Sequence, residues 1–183
     1  WTWEHQALVR ARFVAGDAAL AEKVAAVRQE ILCQERDEDA LAREVQKMRQ
    51  RMCEHLLSTK VIEDEEFDLK QSPGGIVDIE FMVQYAVLAW SHRSPQLAQW
   101  TDNVRILETL GREGLFTPAE CQQLTAAYLA YRCAAHQLSL QQRPGRVPAQ
   151  EYAAMRAEVQ DKWRQLFAPY PLEDLPDSSG EGS

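Results

Sequence analysis

Apolar residues recur every three or four positions along most of this chain, which is the period of an α-helix with one buried face. The clearest run is Leu20, Val24, Val27 and Ile31, and Asp17 stands before it as a suitable N-cap. This run predicts an amphipathic helix, whose apolar stripe normally faces a core.

The same period predicts further helices joined by short connections. The first covers Trp3–Val14, and another begins after Asp37 or Asp39 and carries Leu41, Val45, Met48, Met52 and Leu56. A further helix runs from Thr101 to Gly114. The last two are a segment opened by the capping box Thr117-Pro118-Ala119-Glu120 and the segment Tyr152–Leu166. A short turn is expected from Ser94 to Trp100.

The most apolar segment runs from about Asp78 to His92. Large apolar side chains lie on nearly every face of it, among them Phe81, Tyr85 and Trp90. A helix that is apolar all round is surrounded by other elements, so we expect this one at the centre of the protein.

Together these segments predict an all-α protein, an up-and-down helical bundle of six to seven helices. Weak alternation and the turn signal Pro73-Gly74-Gly75 predict one short loop or hairpin at about residues 67–77. We expect residues 1–168 to form the bundle domain. Residues 169–183, rich in Pro, Ser, Gly, Asp and Glu, are expected to be a flexible acidic tail.

Composition narrows the classes of function. The 183 residues carry a formal net charge of -8, which argues against nucleic acid as the main partner. The four cysteines form no CxxC pair, as expected of a reduced, cytoplasmic protein. The longest apolar run, Tyr85–Trp90, is too short to span a membrane, and no signal peptide is visible. The four histidines lack metal-ligand spacing.

Two groups of basic residues receive no functional role from the sequence. Arg43, Lys47, Arg49 and Arg51 line one side of the third predicted helix, and we interpret them as a solvated face. The pair Arg132 and His136 is one residue short of the spacing of an Arg/His nuclease motif, so we discount it.

Candidate chemistry is concentrated in Phe67–Phe81, where one lysine, a diglycine and two carboxylates crowd together. If Ile76–Phe81 were extended, Asp78 and Glu80 would point the same way and could share one Mg²⁺. In a helix they would lie about 200° apart and could not share an ion unaided. We favour the helix start, with Asp78 as a cap or first-turn acid and Glu80 favoured by the helix dipole.

The rest of this segment has two interpretations. Gly74 and Gly75 could let the backbone approach a phosphate, with Lys70 as counter-charge. A plain turn with a surface lysine is the commoner arrangement. Arg10 and Arg12 could likewise be anion contacts at the edge of a cleft, or two surface arginines.

Three motifs, in order, carry a resemblance to a known family. They are WEHQALVRAR at residues 3–12 followed by Gly16-Asp17, FDLK at 67–70 with GGIVDIEF at 74–81 and Gln84, and WTDNVRIL at 100–107. Together they resemble the helical domain that follows the C-terminal nucleotidyltransferase core of the bifunctional glutamine synthetase adenylyltransferase/adenylyl-removing enzymes. The related PII-uridylyltransferases are a more distant match.

The resemblance implies a role in nitrogen regulation. Enzymes of this family transfer AMP from ATP, with Mg²⁺, to a tyrosine of glutamine synthetase, and a second site in the same polypeptide removes it by phosphorolysis. Glutamine and the PII signal protein tune the balance. The resemblance therefore implies glutamine synthetase and PII as partners of the full-length enzyme, in the cytoplasm, with no nucleic acid or membrane partner.

One departure from the family pattern limits this expectation. The catalytic core carries Gly-Ser followed about ten residues later by Asp-x-Asp, and this chain has no such sequence. Asp37-Glu38-Asp39 has the spacing but no preceding Gly-Ser. We therefore expect the core upstream, no catalytic or metal-binding residue in this chain, and neither ATP nor Mg²⁺ held by this domain alone.

The family motif implies a position for seven residues. They would form a wall of the cleft between this domain and the core, positioning nucleotide or supporting the metal site: Lys70, Gly74, Gly75, Asp78 and Glu80, with Arg10 and Arg12 at the junction. The alternatives are a regulatory module that binds PII or glutamine, and a structural bundle between flanking domains.

Overall fold

The computed structural model describes residues 2–59 and 66–172, and within them it confirms the all-α prediction. The described residues form seven α-helices, one 3₁₀ helix and two three-residue strands. In chain order these are α1 (Thr2–Arg10), α2 (Ala18–Leu32), α3 (Glu38–Thr59), β1 (Glu66–Asp68), α4 (Ile76–Trp90), the 3₁₀ helix (Pro95–Gln99), α5 (Asn103–Arg112), α6 (Pro118–Leu140), β2 (Arg146–Pro148) and α7 (Ala153–Phe167).

Helix α4 is the centre of the bundle, as its sequence predicts. Eleven of its 15 residues are buried, and it contacts α1, α3, α5, α6 and α7. Aromatic rings close the core around it, with Tyr85 packed on Trp90 and on Phe167. Helix α4 is therefore held by several neighbouring elements, and so are the carboxylates that it carries.

Of the two alternatives predicted for residues 67–77, the structure has the short loop and not a local hairpin. Strand β1 pairs antiparallel with the distant strand β2, and Phe67 lies opposite Val147. Both residues are buried, and the Phe67 ring meets Tyr131 edge-on at a centroid distance of 5.4 Å. Strands of three residues carry too little alternation for the sequence to indicate a partner about 80 residues away.

Several helix boundaries differ from the prediction; α4, for example, spans Ile76–Trp90 rather than about Asp78–His92. Helix α1 ends at Arg10 rather than Val14, because the buried guanidinium of Arg28 binds its last carbonyls. Helix α5 is capped by Asp102 rather than Thr101, since the Asp102 carboxylate accepts from the Arg105 amide. The capping box at Thr117 is present as predicted.

The apolar stripe of α2 does not face the core, which corrects the expectation from its pattern. Leu20, Val24 and Val27 are 55%, 40% and 52% exposed. The side of the helix that packs against the protein carries Arg28 and Leu32 instead.

Arg49 is not on a solvated face, and that prediction is wrong for it. Arg49 is 4% exposed, whereas Arg51 is exposed and Arg43 and Lys47 are half-buried.

At the other end of the chain, Tyr170 packs on the core and its carbonyl accepts from the Gln46 side chain at 2.8 Å. The rest of the predicted tail, residues 173–183, lies outside the described residues.

None of the described helices combines the length and the apolar character needed to cross a membrane.

Candidate functional site

The segment before α4 is a tight loop organised by Asp68. Its carboxylate accepts from the amides of Lys70 and Gln71 at 3.0 and 2.9 Å. Its own amide donates to the Ser72 hydroxyl at 3.1 Å, and the amide of Gly75 donates to the Ser72 carbonyl at 2.9 Å. The loop therefore holds its shape through its own hydrogen bonds and delivers the chain directly into α4.

Both glycines of the loop are required by packing within the chain. Gly74 has a φ of +85°, and a Cβ there would lie 2.7 Å from the Arg156 carbonyl oxygen. A Cβ on Gly75 would lie 2.9 Å from the carbonyl oxygens of Leu69 and Ser72. The Gly74 amide donates to Asp78 and the Gly75 amide to Ser72. Because both amides already have acceptors, any anion contact here falls to the exposed Lys70.

Asp78 lies in the first turn of α4 and is buried, so the helical alternative for this segment is the one the structure has. Its Oδ1 accepts from the Arg49 guanidinium, and its Oδ2 accepts from the Gly74 amide at 2.6 Å. Arg49 also donates to the Gln71 carbonyl at 2.8 Å. Asp78 thus joins α3, the loop and α4 through a buried ion pair.

A cleft of about 440 Å³ opens beside this ion pair. Gln46, Gln50, Pro73, Gln160 and Trp163 contribute to its lining. The Pro73 carbonyl accepts from Gln160 and Arg156 across its edge, each at 3.0 Å.

Glu80 points away from this pair and contacts the end of α1. The Arg10 guanidinium donates to its Oε1 at 2.6 Å, and the two side chains are 40% and 23% exposed. Burial acts to lower the pKa of Arg10, but the Glu80 carboxylate, which accepts its hydrogen bond, and the nearby Tyr128 hydroxyl raise the pKa overall. Arg132 donates to the same hydroxyl at 3.1 Å. This polar corner, Arg10–Glu80–Tyr128–Arg132, connects α1, α4 and α6.

A buried arginine aligns the elements behind the polar corner. Arg28 is 7% exposed, and its guanidinium donates to the carbonyls of Leu8 and Val9 at 3.1 and 2.6 Å. It also donates to the carbonyls of Ala98 and Trp100. The end of α1 is thereby bound to the end of the 3₁₀ helix.

The seven residues singled out by the sequence separate into three groups. Arg10 and Glu80 form one contact on the polar corner. Asp78 joins Gly74 and Gly75 in the loop, where Lys70 is exposed, and Arg12 is exposed beyond the end of α1. The three sequence motifs nevertheless lie close together. Arg10 of the first motif (residues 3–12) contacts Glu80 of the second (residues 67–81). Arg28 binds carbonyls of the first motif and of the third (residues 100–107).

The carboxylates do not fit a metal pair. Asp78 and Glu80 are each engaged by an arginine, and they lie on different sides of α4. Within residues 2–59 and 66–172 there is no group of three or more His, Cys, Asp or Glu side chains that could hold a metal ion.

Sequence reasoning missed or discounted the residues that build this site: Arg28, Arg49, Tyr128 and Arg132. A signal for two of them was present. Arg49 follows Val45 by four residues on the buried stripe of α3, and Arg28 precedes the buried Leu32 by four residues on α2. A basic residue in register with a buried face is the pattern of a charge that finds its partners inside the protein.

Comparison with known proteins identifies the family of this fold. A family model described as "GlnD PII-uridylyltransferase" matches residues 35–163, more than two thirds of the chain. The curated relatives include proteins named "Bifunctional glutamine synthetase adenylyltransferase/adenylyl-removing enzyme". The Nitrosococcus oceani protein is 51% identical over 167 residues, which cover 91% of this chain and 17% of that protein.

Two further relatives carry the same name. The Shewanella loihica protein is 53% identical over 148 residues, covering 81% of this chain and 15% of that protein. The Pseudomonas aeruginosa protein is 49% identical over 175 residues, covering 91% of this chain and 18% of that protein. The chain thus spans less than one fifth of the length of these relatives, and it belongs to the PII-uridylyltransferase family, where its relatives are glutamine synthetase adenylyltransferases.

Proposed function

We propose that this chain is the helical domain of an enzyme that adenylylates and deadenylylates glutamine synthetase, and that it supports the adenylylation site without catalysing transfer alone. The names of the curated relatives support the reaction class. Their much greater length leaves room for a nucleotidyltransferase core elsewhere in the polypeptide. ATP and Mg²⁺ are then used at that core, and the metal ligands are expected there.

The observation that carries the proposed position of the site is the Arg10–Glu80 ion pair. It brings the first and second motifs together on a surface that is only partly covered. Asp78, the other acid of the second motif, is instead buried in its ion pair with Arg49. Charged pairs left half-exposed at the junction of several helices are suited to contact a ligand or a neighbouring domain. We infer that Arg10, Arg12, Lys70 and Glu80 face the core.

The remaining members of the predicted wall act indirectly in this proposal. Asp78, Gly74 and Gly75 shape the loop that presents Lys70. The protein works in the cytoplasm, in keeping with its four free cysteines. Glutamine synthetase is the substrate protein, and PII and glutamine act on the full-length enzyme.

The test uses a full-length enzyme in which this chain replaces the matched segment of the Pseudomonas aeruginosa relative. AMP transfer to glutamine synthetase is measured for this enzyme and for its Glu80→Ala and Lys70→Ala variants. Both variants should lower AMP transfer, whereas the control Glu108→Ala, at an exposed position on α5, should not. Unchanged transfer with an altered response to PII or glutamine would instead identify a regulatory module.

The 183-residue chain alone should show no AMP transfer. Clear turnover by the purified chain would contradict the proposal that the catalytic core lies outside it. If neither transfer nor effector response changes in any variant, the domain has only a structural role.

A further inference from the structure

The turn between α1 and α2, together with the first part of α2, forms an exposed and largely apolar arm at residues 12–27, the apolar arm. Every residue of it except Ala21 is exposed. Eight large hydrophobic residues are exposed in the part of the chain that the structure describes, and five of them lie here: Phe13, Val14, Leu20, Val24 and Val27. Exposed apolar side chains are ordinary when scattered, whereas a group of them marks a surface that contacts something else.

The apolar arm has a defined conformation. Gly16 has a φ of +128°, and a Cβ there would lie 3.4 Å from the Phe13 ring, so the ring closes over the turn. Asp17 caps α2 by accepting from the Ala19 amide at 2.7 Å. At the base of the arm, the buried Arg28 binds the last carbonyls of α1. The arm therefore presents its apolar side chains in a fixed arrangement.

Packing within the chain gives the apolar arm little support. A helix as short as α2 is marginal in water by itself and depends on the burial of an apolar face. The buried residues of α2 are Arg28 and Leu32, and both lie beyond the arm. Leu20, Val24 and Val27 form a helical stripe of the kind that a neighbouring element normally covers. This stripe needs a partner from outside the described residues.

Charge favours a protein partner over a membrane surface. The apolar arm carries two basic residues, Arg12 and Lys23, and two acidic residues, Asp17 and Glu22, so its formal net charge is zero. Helices that bind membrane surfaces carry several Lys and Arg side chains on their polar face. The centre of a protein interface, in contrast, is depleted in charge. An uncharged, apolar protein surface is therefore the complement of this arm.

We propose that the apolar arm docks on an apolar surface of the nucleotidyltransferase core, as a domain contact within one full-length enzyme. This choice of partner rests on the proposed function, in which Arg10, two residues before the arm, faces the core. The relative from Nitrosococcus oceani supports a partner in the same polypeptide, since the matched segment is only 17% of that protein. Leu20, Val24 and Val27 form the apolar centre of the contact, and the Arg10–Glu80 ion pair lies at its polar rim.

Thiol labelling tests this contact. Val24→Cys and the control Glu108→Cys, at an exposed position on α5, are each made in the 183-residue chain. Both are also made in the full-length enzyme in which this chain replaces the matched segment of the Pseudomonas aeruginosa relative. Labelling by a maleimide is followed over time and assigned by peptide mass, which distinguishes the introduced thiol from the native cysteines.

The thiol introduced at position 24 should react at least about tenfold more slowly in the full-length enzyme than in the 183-residue chain, because labelling then requires the arm to undock. The thiol at position 108 should react at the same rate in both. Equal rates at position 24, or equal protection at both positions, would overturn the proposal. Protection that is already present in the 183-residue chain and is lost on dilution would identify a second copy as the partner and would also overturn it.

A charged double variant tests the apolar character of the contact, with Val27→Cys as the labelled position. Leu20→Lys combined with Val24→Lys should leave the melting temperature of the 183-residue chain within a few degrees of its parent, since both positions are exposed. In the full-length enzyme it should remove the protection at position 27. Glu30→Lys, at an exposed position on α2 beyond the arm, is the control and should preserve it. Protection that persists in the double variant would overturn the proposal.

Failure of this proposal is distinguishable from failure of the proposed function. If the arm is unprotected while Glu80→Ala lowers AMP transfer, the proposed function stands and the docking contact does not. If the arm is protected while Glu80→Ala leaves AMP transfer unchanged, the domain contact stands, but the reason for assigning it to the core is removed.

Discussion

The guanidinium of Arg49 and the carboxylate of Asp78 form an ion pair inside the protein, with side chains only 5% and 7% exposed. Every oxygen of the Asp78 carboxylate has a donor, since the Gly74 amide binds the one that Arg49 does not. The pair fixes the loop before α4 to α3. Both oxygens of Asp78 are therefore occupied within the chain, in keeping with the indirect role proposed for it.

Breaking this pair should be costly. Arg49→Met leaves the Asp78 carboxylate buried without its counter-charge, and we expect a loss of about 3–5 kcal/mol in the free energy of unfolding. Urea denaturation followed by circular dichroism measures it. Arg164→Met is the control, because its pair with Asp161 is 72% and 55% exposed and should contribute at most about 1 kcal/mol. Equal losses in the two variants would contradict the role of Asp78.

Gly114 and Gly74 both have a positive φ but differ in their surroundings. Replacing each by alanine therefore distinguishes the cost of the backbone conformation from the cost of a steric clash. At Gly114, where φ is +68°, no atom of the described residues lies within 4 Å of the place that a Cβ would take. Gly114→Ala should therefore cost about 1–2 kcal/mol from the left-handed backbone alone. Gly74→Ala adds a contact of 2.7 Å with the Arg156 carbonyl oxygen and should cost at least about 1 kcal/mol more. Urea denaturation of both variants decides between them, and equal costs would show that the Gly74 loop yields easily.

Arg28 should stabilise the fold far more than an ordinary helix arginine. Arg28→Met removes the donor shared by the carbonyls of Val9, Ala98 and Trp100, and leaving several buried carbonyls unpaired should cost at least about 3 kcal/mol. The melting temperature of the purified chain measures this. Arg112→Met, at an exposed position on α5, is the control and should melt within a few degrees of the parent chain.

The exposed stripe of α2 should tolerate polar residues. Val24→Gln and Val27→Gln replace side chains that are already 40% and 52% exposed, so each should change the free energy of unfolding by no more than about 0.5 kcal/mol. Leu32→Ala, at a fully buried position on the same helix, should cost about 2–5 kcal/mol. A loss above about 1.5 kcal/mol for either valine variant would show that the stripe is covered in solution.

These contrasts explain how much of the structure the sequence could predict. The central helix was predictable, because apolar residues on every face of Phe81–Trp90 leave no other environment for it. The α2 helix was predictable as a helix, but its orientation was not. Periodicity shows which residues share a face and cannot show that Arg28 would find four carbonyl acceptors while Val24 stayed in water.

The candidate site was likewise predictable only in part. The sequence brought attention to Asp78 and Glu80 and, through the helical period, to their separation on α4. It could not assign Glu80 to Arg10 or Asp78 to Arg49, because these partners are 70 and 29 residues away. Such pairings depend on how helices pack, and packing leaves only a weak trace in one sequence.

Glu120 gives a prediction for the pH dependence of stability. It closes the capping box of α6 by accepting from the Thr117 amide at 2.7 Å, and it accepts from Lys162 at 2.8 Å. Partial burial acts to raise the pKa of Glu120, but the hydrogen bonds from Lys162 and Thr117 outweigh it and lower the pKa below the ordinary value of 4.5.

A carboxylate with a lowered pKa stabilises the fold above its unfolded-state pKa, and that contribution is lost as pH falls through the folded-state pKa. Glu120→Gln preserves a capping side chain but removes the charge that faces Lys162. We therefore expect the variant to be less stable than the parent chain by about 1 kcal/mol at pH 7. The difference should shrink as pH falls below about 4.5 and vanish in stronger acid.

Urea denaturation of both proteins between pH 7 and pH 3 measures this, provided each remains folded at zero denaturant. Lys162→Met tests the cause, because removing the partner cation should abolish most of the same pH-dependent difference. A gap between the parent chain and Glu120→Gln that stays constant down to pH 3 would mean that the charge of Glu120 does not contribute and that the capping hydrogen bonds alone hold the start of α6.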